Sequence, residues 1–255
     1  MPTIRKASIT CLPLLAALLL PACSDVTRPT PVQISPAIDV FTGTLEPGGT
    51  VTFPFSLSSS SSVKLTLAGV TLNNPPRSIS PTLRLGIANW DGSNCLPDAN
   101  RQTDTEPLFV GRVQAYLSVG TYCAQVIDTG GLTERVDVTV RLVLPAVLTF
   151  DGEAGSRTFG STITPGGTAS TTVVASRAGQ VTVTLDSVSE NAEMALALGI
   201  PGNNGGCRYG QVVRTTAGPG PHISAPVDPG RYCAAIIDVG NLTGQGTFSQ
   251  TITHP

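Results

Sequence analysis

An internal repeat constrains this chain more than any other feature, because whatever fold one half adopts the other must adopt too. FTGTLEPGGT at 41–50 returns as FGSTITPGGT at 159–168, and VKLTLAGV at 63–70 returns as VTVTLDSV at 181–188, both shifted by 118 residues. LGI at 85–87 returns at 198–200, and YCAQVIDTGGLT at 122–133 returns as YCAAIIDVGNLT at 232–243, with eight of twelve positions identical. By the last block the shift has fallen to 110 residues, which places the length differences in connecting loops.

Within each copy the apolar residues recur at every second position. Val51, Phe53, Phe55 and Leu57 form one such row, followed by Val63, Leu65 and Leu67, then Leu83, Leu85 and Ile87, and finally Val136, Val138, Val140 and Leu142. Val181, Val183 and Leu185 repeat the pattern in the second copy. Period two in Val-, Thr- and Phe-rich runs specifies half-buried strands, and Pro47-Gly48-Gly49 and Pro165-Gly166-Gly167 supply the turns between the first strands. No 3.6-residue period is sustained beyond Leu20. The expected fold is all-β: two tandem antiparallel β-sandwich domains, at 37–145 and 146–255.

The N-terminus reads as an address. Arg5 and Lys6 precede a fourteen-residue apolar run, Ala7 to Leu20, which is shorter than the about 20 residues a membrane-spanning helix needs. This pattern marks a secretory signal. Leu20-Pro21-Ala22-Cys23 resembles the lipobox of bacterial lipoproteins, which implies cleavage after residue 22 and acylation of Cys23. Residues 23–36, with Pro29, Pro31 and Pro36, then read as an extended tether from the acylated cysteine. Several acyl chains on one residue give lasting attachment to a membrane. Ser24 rather than an acidic residue follows Cys23, which favours the outer membrane in a Gram-negative cell, with the chain facing periplasm or exterior.

With Cys11 in the signal and Cys23 acylated, Cys95, Cys123, Cys207 and Cys233 remain. An even count in an exported chain points to disulfides. Only Cys95–Cys123 with Cys207–Cys233 treats both copies alike. Each bridge closes a loop worth roughly 3.5 kcal/mol on the chain-entropy model. A four-cysteine zinc site would need closer ligand spacing.

Both copies resemble the pre-peptidase C-terminal domain, a module of secreted bacterial proteins. The resemblance rests on the opening F-x-G-x-L/I-x-P-G-G, the V-x-L/V-T-L strand, the L-x-L-G-I strand and the closing G-T-Y and G-R-Y at Gly120–Tyr122 and Gly230–Tyr232. It implies a jelly-roll-like sandwich; no protease domain accompanies the two copies, so the family's role as an enzyme's accessory domain does not transfer. The acidic residue usual in the family before the middle L-x-L strand is missing, with Pro81-Thr82 and Ala192-Glu193 in its place, which weakens a calcium role carried over from related collagen-binding modules.

Candidate chemistry is sparse. His222 lies in GPGPHIS and His254 is next to last, and both read as solvated loop residues rather than catalytic bases. No G-x-S-x-G, H-E-x-x-H or phosphate-loop motif occurs. Net charge is −2 with only 13% charged residues, which excludes a basic nucleic-acid footprint. Asp91-Gly92-Ser93-Asn94 reads as a turn, and Asp128 and Asp238 read as carboxylates that accept backbone N–H groups at a strand end. No metal or other cofactor is expected. The contact candidates are Trp90, five residues before Cys95, and Arg208 and Tyr209, just after Cys207, all in loops the disulfides pin. The sequence therefore predicts a lipid-anchored envelope protein, not an enzyme, that presents two interaction modules to a protein or glycan partner.

Overall fold

A computed structural model of the chain describes residues 37–73, 76–145, 150, 152–203 and 205–255. The expected signal (1–22), Cys23 and the tether to residue 36 lie outside the described residues.

The first copy runs β1 (Ala37–Leu45), β2 (Thr50–Leu57), β3 (Ser61–Asn73), β4 (Pro76–Ser78), β5 (Leu83–Trp90), β6 (Cys95–Leu96), β7 (Gln102–Thr105), β8 (Val113–Leu117), β9 (Gly120–Ile127) and β10 (Val136–Leu144). The second runs β11 (Gly155–Ile163), β12 (Thr168–Ala175), β13 (Gly179–Val188), β14 (Met194–Pro201), β15 (Cys207–Thr215), β16 (Ile223–Val227), β17 (Gly230–Asp238) and β18 (Gly246–His254). Two single 3₁₀ turns, Ala99–Arg101 and Ser189–Asn191, interrupt the strands. Among the described residues no helix is long and apolar enough to cross a membrane.

Every ladder pairing is antiparallel, and the two copies share one topology. In the first, sheet A is ordered β1-β10-β3, with β4 and β8 sharing the far edge of β3, and sheet B is β2-β9-β5, with β6 and β7 sharing the far edge of β5. In the second, sheet C is β11-β18-β13-β16 and sheet D is β12-β17-β14-β15. Apart from the β3–β4, β5–β6–β7 and β14–β15 hairpins, successive strands cross from one sheet to the other, which is the jelly-roll-like sandwich the resemblance implies. Even a register shift recurs: β10 slips against β3 at Thr139/Val140, and β18 slips against β13 at Leu185/Ser187.

The predicted alternation decides which side chains meet. Leu65, Leu67, Leu85, Ile87, Val126, Val138, Val140 and Leu142 form the first core, and Val181, Val183, Leu185, Leu196, Leu198, Ile236 and Ile252 form most of the second. Burying each such side chain contributes about 1.5–3 kcal/mol. The second core also contains Ala68 and Phe109, which belong to the first copy. Residues 37–255 accordingly fall within one compact unit.

The disulfides are Cys95–Cys123 and Cys207–Cys233, the pairing the repeat requires. Each ties a hairpin at the end of β5 or β14 to the central strand of its sheet, β9 or β17. Two bridges of this kind place the folded part in an oxidising, extracytoplasmic environment.

Candidate functional site

The copies meet where the flank of the second, formed by β15, β16 and the turn into β17, lies on the outer face of sheet A. With the core residues of β1, β3 and β10 turned inward, that outer face carries Val40, Thr42 and Thr44, then Lys64, Thr66 and Ala68, then Asp137, Thr139 and Arg141. The backbones touch at Gly69 and Gly210: a Cβ on Gly69 would lie 2.5 Å from the Gly210 Cα, and one on Gly210 would collide with the Ala68 carbonyl and the Phe109 ring. Phe109 inserts into the second core and meets Tyr232 edge-on, with centroids 5.7 Å apart.

Polar groups close the same seam. Arg141 is 1% exposed; it donates to the Tyr232 hydroxyl at 3.0 Å and to the Phe109 carbonyl at 3.2 Å, and its guanidinium lies 5.4 Å from the Tyr232 ring centre. The Tyr232 hydroxyl in turn donates to the Asp228 carbonyl at 2.7 Å. The Asp228 carboxylate accepts from Lys64 Nζ at 3.3 Å and from the Gly111 N–H at 2.9 Å. Ser78 Oγ donates to the Val212 carbonyl and accepts from the Val212 N–H, both at 3.1 Å.

Beside this seam runs a groove of about 410 Å³, floored by Thr42, Thr44, Thr71, Asp137 and Thr139 of sheet A and walled by Cys207, Arg208 and Tyr209. The floor is built in rows across the strands, Thr44–Asp137–Thr71 and Thr42–Thr139–Gly69. Thr44 Oγ1 donates to Asp137 Oδ1 at 3.0 Å. The groove continues past Thr44, Thr71 and Asp137 into a second depression of about 330 Å³ that Arg135 also lines. On the wall, the Arg208 guanidinium is exposed and makes no hydrogen bond or ion pair with the described residues. Tyr209 packs its ring against Ala195, Ala197, Val212, Ala235 and Ile237 on the outer face of sheet D. Burial raises its phenol pKa above the ordinary value, against a hydrogen bond with the Thr168 side chain of β12 that lowers it.

The structure thus brings Arg208 and Tyr209 to one groove and leaves Trp90 outside it. Trp90 ends β5, half-buried and paired with Cys95 across the hairpin. Asp91 Oδ1 accepts from the N–H groups of Ser93 (2.8 Å) and Asn94 (2.7 Å), which makes that loop the expected turn. Asp128 and Asp238 are scaffold. Asp128 Oδ1 accepts from Gly130, Gly131 and Leu132, and Oδ2 accepts from Gly48 in the opposite turn at 2.7 Å. Asp238 does the same with Gly240, Asn241, Leu242 and Gly166. Burial pushes each carboxyl up, but the four backbone donors outweigh it and hold both below the ordinary aspartate value.

Two histidine expectations are corrected. His222 is half-buried, and its Nδ1 accepts the Leu185 N–H at 3.1 Å, so it serves the backbone of β13 rather than solvent. His254 lies in β18, opposite Gly155. Among the described residues no group of three or more His, Cys, Asp and Glu side chains is placed to hold a metal ion.

Sequence reading alone missed the groove floor and the seam. Thr42, Thr44, Thr71 and Thr139 look like ordinary strand surface. A signal was present in the differences between copies: Lys64 and Arg141 occupy positions where the second copy has Thr182 and Thr251.

No protein-family model matches the chain, and no curated protein matches it in sequence. Among solved structures it is similar to the PBSX exported protein XepA, at 12% identity and a TM-score of 0.29, covering 85% of this chain and 86% of that one. It is also similar to a protein of Sulfolobus Turreted Icosahedral Virus, at 10% identity and a TM-score of 0.27, covering 86% and 92%. At these scores nothing about function passes from those proteins to this one.

Proposed function

We propose that this chain is a lipid-anchored, non-catalytic binding protein of the bacterial cell envelope, and that its two repeats act as one platform that contacts its ligand in the groove between them. The groove carries this reading: a guanidinium with no partner among the described residues, on a hairpin pinned by a disulfide, stands over a floor of hydroxyl and carboxylate groups supplied by the other repeat. Both walls are held by the seam at Gly69, Phe109 and Arg141, so the site is largely pre-formed, as ligand sites usually are. The lipobox ending in Cys23 and the proline-containing tether support the anchor.

Two measurements test the reading. Cells fed labelled palmitate should label the full chain and fail to label Cys23→Ser; equal labelling would remove the anchor. The purified Cys23→Ser chain, which carries no acyl anchor, should co-sediment with the envelope fraction of the producing cell, and adding Arg208→Glu should abolish this. Sedimentation unaffected by Arg208→Glu would remove the groove as the contact surface.

A further inference from the structure

The chemistry of the groove identifies a class of ligand, an inference that rests on the groove being the contact surface. Its floor offers hydroxyls from Thr42, Thr44, Thr71 and Thr139 and a carboxylate from Asp137. The apolar residues of the same strands, Val136, Val138 and Val140, are turned into the first core, so the described floor of the groove presents polar side chains rather than the apolar anchors typical of protein interfaces. A surface of hydroxyls and a carboxylate matches a polyhydroxylated ring, which presents hydroxyls at its edge.

The cations refine this. Arg208 lines one part of the track and Arg135 the other, and the row Thr44–Asp137–Thr71 is common to both depressions. Arg208 has no partner among the described residues, and Arg135 has only an exposed contact with Glu46 at 3.6 Å, a kind of pair that is worth little in water. Guanidinium groups are suited to clasping carboxylates through paired N–H donors. We propose that the groove binds a linear acidic glycan, with uronate carboxylates at Arg208 and Arg135 and sugar hydroxyls between them on Asp137 and the threonines.

Calorimetric titration of the full chain in detergent with short oligomers of galacturonate, alginate and glucuronate-containing hyaluronan tests this. Methyl-esterified oligogalacturonate, the same chain with its carboxylates masked, is the control. The expected result is binding to at least one acidic oligomer that weakens with added salt and is lost on esterification. Arg208→Ala should weaken it about tenfold or more, and Arg208→Lys should restore part of it. Circular dichroism confirms that each variant is folded. Equal affinity for the ester, or no response to Arg208→Ala, would overturn the acidic class. Failure of all three acidic oligomers while envelope sedimentation still depends on Arg208 would overturn the glycan and leave the groove standing. If sedimentation is also independent of Arg208, both readings fall.

Discussion

At the scale of single residues, the two aspartates of the IDTG and IDVG blocks do the most structural work per atom. Each carboxylate joins the turn after its own strand to the Pro-Gly-Gly turn that opens its copy, satisfying four backbone N–H groups. Two of the blocks repeated between the copies are therefore halves of one motif. Replacing Asp128 with Ala strands four donors and should cost about 2–3 kcal/mol, measured by urea denaturation. The pH dependence follows from the sign of the shift. Both carboxyls are depressed in the folded chain, so the unfolded chain binds more protons as the pH drops below the ordinary aspartate value of about 4. Their contribution is fully present above that value and is lost as pH falls through the folded-state values. The urea midpoint should decline below about pH 4, and less steeply in the Asp128→Asn, Asp238→Asn double variant; an unchanged slope would mean that other carboxylates carry acid unfolding.

At the scale of strands, the contact that matters is β15 lying on β3. It depends on two positions without side chains, since Gly69 and Gly210 let the backbones approach to a distance at which any Cβ would intrude. Gly69→Ala should leave the first sandwich intact and weaken the seam. Small-angle scattering should then show a larger radius of gyration, while circular dichroism stays unchanged; a wild-type radius would show that the seam absorbs the methyl group. The strands themselves were legible in the sequence, because a period of two and a glycine-proline turn are local properties. The cysteine pairing was legible through the repeat. The groove was not, because Thr42, Thr139 and Arg208 become neighbours only through the packing of one copy on the other. Gly210 illustrates the difficulty: it is the residue left without a partner where β14 and β15 slip in register, and in sequence it is one more glycine beside a cysteine. Arg208 and Tyr209 could be singled out only as polar and aromatic residues next to a bridge, and Trp90, chosen by the same logic, lies elsewhere.

At the scale of the whole molecule, the second sandwich is incomplete without the first, because Ala68 and Phe109 are part of its core. Phe109 is 3% exposed, and Phe109→Ala should cost about 3–5 kcal/mol. The intact protein should melt in a single transition whose calorimetric and van't Hoff enthalpies agree. In Phe109→Ala the transition should split, with the second repeat melting first; two transitions already present in the wild type would refute the shared core. The loan of Phe109 also bears on ancestry. A duplicated segment that keeps its own interior can be copied, reordered or grafted onto another gene. One that borrows part of its interior cannot, since moving it alone would leave its flank open to water. With that ring in the second interior, the unit that is complete enough to be moved is the pair.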